Sequence, residues 1–203
     1  MSPVIDYFFT PQSPWTYLGH ERFAAMAKAA GARVNVLPVN LGGKVFPVSG
    51  GLPLAQRAPQ RQAYRLVELQ RFSTHLGIAL NLHPKFFPVP DAASARLIIA
   101  VDLHDGADAA MAITGAITRA VWVEDRNIAD DAMRAELLAT LGLPAQRLAD
   151  AQSQAVIARY EADTQRAIDT GVFGAPTYVV DGEMFWGQDR LDFVQRRLAK
   201  ARA

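Results

Sequence analysis

The sequence predicts an α/β domain interrupted by an all-helical stretch, and three observations predict it. Residues 4–41 carry strand, helix and strand signals in turn. Residues 91–171 are Ala-rich with a period near 3.6 and almost no strand signal. Residues 177–199 read strand, tight turn, strand and helix. Two sheet-forming ends can complete one another's sheet across a helical middle. The expected division is therefore one discontinuous α/β unit, residues 1–58 with 171–203, and a helical insertion over 59–170.

Val4–Phe9 is apolar and aromatic around a single Asp and is bounded by Thr10-Pro11, the pattern of a buried strand. Ser13-Pro14 joins a preferred N-cap to a proline at the first helical position, so a helix starts there. Leu18, Met26, Ala27 and Ala30 share its stripe, and Gly31 ends it. Residues 33–41 alternate through Val34, Val36 and Val39, which predicts a second strand after a right-handed crossover. Residues 42–58 are rich in Gly and Pro and read as a long loop, followed by a polar helix over 59–77. Pro84, Pro88 and Pro90 exclude a regular element from 83–90. Four helices are expected over 91–105, 107–124, 130–141 and 146–169, with Gly142-Leu143-Pro144 as a break. Thr177–Val180 and Glu183–Trp186 flank Asp181-Gly182, a hairpin turn pair. A last helix over 188–199 puts Leu191, Val194 and Leu198 on one face.

Composition narrows the chemistry. Half of the 203 residues are hydrophobic, enough for a real core. Lys plus Arg (21) nearly balances Asp plus Glu (20), so a net charge of +1 offers no general attraction to nucleic acid or anionic membranes. Neither partner is expected, and any anion recognition must be local. The opening Met1-Ser2-Pro3-Val4-Ile5-Asp6 has neither a charged leader nor a long apolar stretch, so no signal peptide is expected. The absence of cysteine excludes disulfides, thiolate metal sites and dithiol redox work. It also points to a cytoplasmic protein, although a periplasmic chain can lack cysteine too. The four histidines (His20, His75, His83, His104) have no metal-ligand spacing, and no metal site is expected.

Four segments can carry chemistry. Ser13 sits at a helix N-terminus, where free N–H groups and the helix dipole favour negative charge and a hydroxyl can donate to an anion. As a bare cap it would do nothing more. Thr16, one turn on, is a second hydroxyl or an ordinary surface residue. Ala175-Pro176 opens a strand; a cis bond there would turn the Ala175 backbone outward to pair with an extended ligand, whereas a trans proline merely starts the strand. Trp186-Gly187-Gln188-Asp189-Arg190 enters the last helix: Asp189 can bind an ammonium group and Gln188 a carboxylate, or both only cap the helix. Gly42-Gly43-Lys44 lacks the spacing of a phosphate loop, but Lys44 can hold a carboxylate.

The order of these segments forms a pattern. Ser13-Pro14-Trp15-Thr16-Tyr17-Leu18-Gly19 follows the first strand and Gly42-Gly43-Lys44 the second. Gly171-Val172-Phe173-Gly174-Ala175-Pro176-Thr177 precedes the third, and Phe185-Trp186-Gly187-Gln188-Asp189-Arg190 closes the fourth. In this pattern, over essentially its whole length, the chain resembles the 2-hydroxychromene-2-carboxylate isomerase family and the related kappa-class glutathione transferases. These share a thioredoxin-like domain with a helical insertion, as in DsbA.

The resemblance implies glutathione as cofactor. Ser13 would be the catalytic serine that hydrogen-bonds the glutathione sulfur, and Ala175 before a cis Pro176 would pair with its cysteinyl backbone. Gly187, Gln188 and Asp189 would grip the γ-glutamyl end, Trp186 would also belong to the glutathione site, and Lys44, Pro53 and Phe87 would meet a small aromatic carboxylate substrate. The implied reaction is thiolate addition to a hydroxychromene carboxylate, ring opening, bond rotation and loss of glutathione, leaving a trans-o-hydroxybenzylidenepyruvate, as in aromatic-compound degradation. Val89-Pro90 stands where relatives often have Asn, a departure that bears on the exact substrate. A conjugating transferase and a non-catalytic glutathione- or peptide-binding module are the other readings; a DsbA-like oxidase is excluded by the missing cysteines. Kappa-class relatives pair through the helical region, so the resemblance implies a homodimer, although an apolar helix face serves equally as domain core.

Overall fold

A computed structural model describes residues 2–200. Strand β1 (Val4–Phe9) lies at the centre of a four-stranded sheet of order β2-β1-β3-β4. It pairs in parallel with β2 (Arg33–Pro38) and antiparallel with β3 (Thr177–Val180), which pairs antiparallel with β4 (Glu183–Trp186). The two ends of the chain thus meet in one sheet. The turn between β3 and β4 holds both Asp181 (φ 49°) and Gly182 (φ 78°) in the left-handed region, as a two-residue hairpin of the expected kind requires.

Alternation along β1 sends side chains to two cores. Ile5, Tyr7 and Phe9 face a large cluster with Phe23 and Ala27 of α1 (Pro14–Ala29), Leu97 and Ile98 of α4 (Ala92–Asp105), and Ile113 and Ile117 of α5 (Ala107–Trp122). Tyr7 stacks on Tyr178 at 5.4 Å between centroids. Phe8 faces the other way, onto Leu37, Val39, Val45, Ala167 and Val172. Asp6, the one charge in β1, accepts from Asn35 Nδ2 at 2.6 Å and pairs with Arg166. The remaining helices are α2 (Phe46–Ser49), α3 (Pro59–Leu76), α6 (Asp131–Thr140), α7 (Arg147–Asp150), α8 (Gln154–Asp169) and α9 (Leu191–Lys200).

Four expectations need correction. The second strand ends at Pro38 rather than 41, because Asn40 turns the chain: its side chain accepts from the Gly43 N–H at 2.9 Å and caps a π-helical turn, Leu41–Val45. The segment 42–58 is therefore not a plain loop; it holds that turn, α2 and a 3-10 turn, Leu54–Gln56. The helix expected over 146–169 is two helices, because Ser153 caps α8 by accepting from the Val156 N–H. The last helix opens with a 3-10 turn, Gln188–Arg190, after Gly187 at φ 107°.

Candidate active site

Two adjoining clefts, about 760 and 540 Å³, lie beside the N-terminus of α1. Thr10, Ser13, Trp15, Gly43, Pro53, Phe87 and Ala175 are in the wall of the larger; Gly187, Gln188 and Asp189 are in the wall of the smaller. Trp15, Arg57, Arg61, Arg65, Ala175 and Trp186 belong to both.

Ser13 is 7% exposed and is the N-cap of α1, with its Oγ accepting from the Thr16 N–H at 3.2 Å. That bond uses a lone pair and leaves the hydroxyl proton free to donate. Pro14 has no N–H, and the Trp15 N–H has no acceptor among the described residues, so the mouth of α1 presents a donor pair and the positive end of a 16-residue helix. The approach to Ser13 is held from the helical layer. Trp122 Nε1 donates to the Gln12 carbonyl at 3.1 Å, the Val89 N–H donates to Gln12 Oε1 at 3.3 Å, and Asp91 accepts from the Thr10 hydroxyl. Burial raises the Asp91 carboxyl above its ordinary 3.8, with the Thr10 and Gln12 bonds opposing.

The Ala175-Pro176 bond is cis, as is Phe87-Pro88. Neither the N–H nor the C=O of Ala175 has a hydrogen-bond partner among the described residues, while the Pro176 carbonyl accepts from the Gly187 N–H at 2.9 Å. Trp186, half exposed, packs edge-on to Phe173 at 4.8 Å over Gly174, where a Cβ would lie 2.3 Å from the indole nitrogen. Gln188 is buried; its Oε1 accepts from Arg22 Nη1 at 2.8 Å, and its Nε2 has no acceptor. Asp189 pairs with Arg190 at 2.7 Å.

The clefts thus gather Ser13, Pro53, Phe87, Ala175, Trp186, Gly187, Gln188 and Asp189. Pro176 supplies the cis bond behind the wall. Lys44 is exposed on the π-helical turn and belongs to neither cleft wall. Thr16 is fully buried, its hydroxyl unpaired, and it is no second cleft hydroxyl. Sequence reasoning missed Thr10, Gln12, Asp91 and the three arginines. Two of the arginines left a partial signal: Arg61 and Arg65, four residues apart in the expected helix over 59–77, share one helix face, but the spacing does not say what that face meets, and Arg57 lies before the helix.

A family model described as a DSBA-like thioredoxin domain matches residues 4–199. The chain belongs to that family. Within the DSBA-like family it is similar over its length to enzymes. The 2-hydroxychromene-2-carboxylate isomerase of Pseudomonas putida is 29% identical over 201 residues, 97% of this chain and 95% of that protein. Glutathione S-transferase kappa 1 of Caenorhabditis elegans is 24% identical, over 95% and 89% respectively. A solved 2-hydroxychromene-2-carboxylate isomerase superposes with a TM-score of 0.76 at 25% identity, covering 98% of this chain and 95% of that one. The resemblance drawn from the four motifs is borne out. Among the described residues no helix is long and apolar enough to cross a membrane.

Proposed function

We propose that the chain is a glutathione-dependent isomerase of hydroxychromene-carboxylate-type substrates. The observation that carries the reading is one cleft shared by the Ser13 hydroxyl, at the mouth of α1, and the unpaired backbone of Ala175. An extended tripeptide fits these groups. Ala175 offers one donor and one acceptor for a cysteinyl backbone, and Trp186 to Asp189 line the adjoining cleft where the γ-glutamyl end would lie. The unpaired Gln188 Nε2 beside that cleft wall is a donor for its carboxylate. When bound, glutathione supplies a thiol whose ionised sulfur can add to an electrophilic carbon and leave again.

A free thiol near pKa 8.5 is mostly protonated at neutral pH. The Ser13 hydroxyl, the Trp15 N–H and the helix dipole all favour the anion, and each unit of lowering requires only about 1.4 kcal/mol. Arg57, Arg61 and Arg65 add positive charge to the same cleft and make no ion pair among the described residues. Names of full-length relatives support the isomerase outcome, while the kappa relative supports conjugation.

The assay that separates them mixes protein, glutathione and a hydroxychromene carboxylate. Spectral isomerisation with no net loss of thiol is expected. Thiol consumed with a general electrophile, and no isomerisation, would assign the transferase. Rates indifferent to Ser13→Ala would leave only a binding module. A homodimer and a cytoplasmic location belong to the same proposal; light scattering after size exclusion reads the first, and cell fractionation the second.

A further inference from the structure

Arg65 lies on α3 where the two clefts meet. Its guanidinium stands over the Phe87 ring at 5.0 Å and the Trp122 ring at 5.7 Å. Those rings touch each other at 4.8 Å and form an aromatic bed beneath it. Nη2 is sealed from solvent with no acceptor, and the group makes neither a hydrogen bond nor an ion pair among the described residues. Nearby carboxylates are engaged elsewhere: Glu68 pairs with Arg71 at 2.6 Å, Asp189 with Arg190, and Asp91 with Thr10 and the Gln12 N–H. Arg57 bonds the Leu52 carbonyl through Nε. Burial, reinforced by Arg57, lowers the Arg65 pKa to about 10, so the group stays charged at neutral pH.

A guanidinium withdrawn from water without a counter-ion destabilises the fold, and cations held this way are matched by a ligand anion where function requires them. The planar fork suits a carboxylate, and Phe87, which is in the wall of the larger cleft, suits a flat conjugated one. We infer that Arg65 is the carboxylate anchor of the acceptor substrate, holding a planar aromatic acid against Phe87. This rests on the isomerase reading for the identity of the acceptor, and it moves the anchoring role from exposed Lys44 to α3.

Calorimetry with trans-cinnamate and its uncharged twin cinnamamide tests it. The wild-type chain should prefer the acid by about tenfold, as expected for a charge-assisted contact. Arg65→Met, which keeps the apolar stem on the rings, should erase the preference and raise Tm. A preference that survives Arg65→Met overturns the assignment. Should Arg65→Met fail to fold, Arg65→Lys carries the test: without the fork the preference must fall at least about threefold, and an unchanged preference overturns the proposal. Glutathione binding to the wild-type chain is read separately. Its absence would remove the proposed function while the cinnamate comparison still decides Arg65.

Discussion

One oxygen at position 13 carries two duties that substitutions can separate. As N-cap, Ser13 Oγ accepts from the Thr16 N–H; as donor, its proton would serve an anion in the cleft. Ser13→Ala removes both, and denaturant unfolding should show a loss of about 1 kcal/mol. Ser13→Asp keeps the acceptor and supplies a preferred cap, so stability should hold while a carboxylate at the cleft repels a thiolate and glutathione binding fails. Equal stability loss in both variants would contradict the capping role. At this scale the sequence was legible where a residue's neighbours determine its job, as with Ser13-Pro14. It was not legible for Arg65, whose meaning comes from Phe87 and Trp122, brought under it by the fold.

Helix α1 also meets the sheet through a buried histidine. His20 Nε2 lies 2.9 Å from the Met111 carbonyl, an acceptor only, so that nitrogen carries the proton and Nδ1 accepts from Tyr7 Oη at 3.2 Å. Burial lowers its pKa below the ordinary 6.5, against the opposing pulls of the Met111 bond and Glu21. The unfolded chain therefore binds the proton first, and stability is full above about pH 6.5 and is lost as the pH falls below it. Asp91, raised by burial, has the opposite sign: its contribution declines as the pH rises above 3.8. The urea midpoint should drop between about pH 8 and pH 5, and His20→Gln should flatten that drop. An unchanged midpoint, or an equal drop in the variant, would contradict it. Elements with their own punctuation were readable: three of the four strands and the Asp181-Gly182 turn match to the residue. The π-helical turn after Asn40 was not, because a Gly-Pro-rich stretch has no period and its shape comes from one side-chain cap. The break before α8 was hidden for a different reason: Ala-rich periodicity ran on through Ser153.

The whole molecule brings distant segments to one place. The loop before α1, α3, the Phe87-Pro88 bend, the cis Ala175-Pro176 bond and the exit of β4 all meet at the clefts because β1 and β3 are neighbours. The fold class could be anticipated, since two sheet-forming ends need each other. The basic wall of the cleft could not, because a chain with net charge +1 does not announce where its arginines converge. That wall, the α1 mouth and Ser13 all favour a negatively charged sulfur, and their joint effect is measurable directly. The decisive experiment is the pH titration, by thiolate ultraviolet absorbance, of glutathione bound to the wild-type chain and to Ser13→Ala. A midpoint at least about one unit below the free-thiol value near 8.5, rising again in Ser13→Ala if that variant still binds, is the predicted result. A bound thiol that titrates as it does in water, or no binding to the wild-type chain at all, would contradict the account.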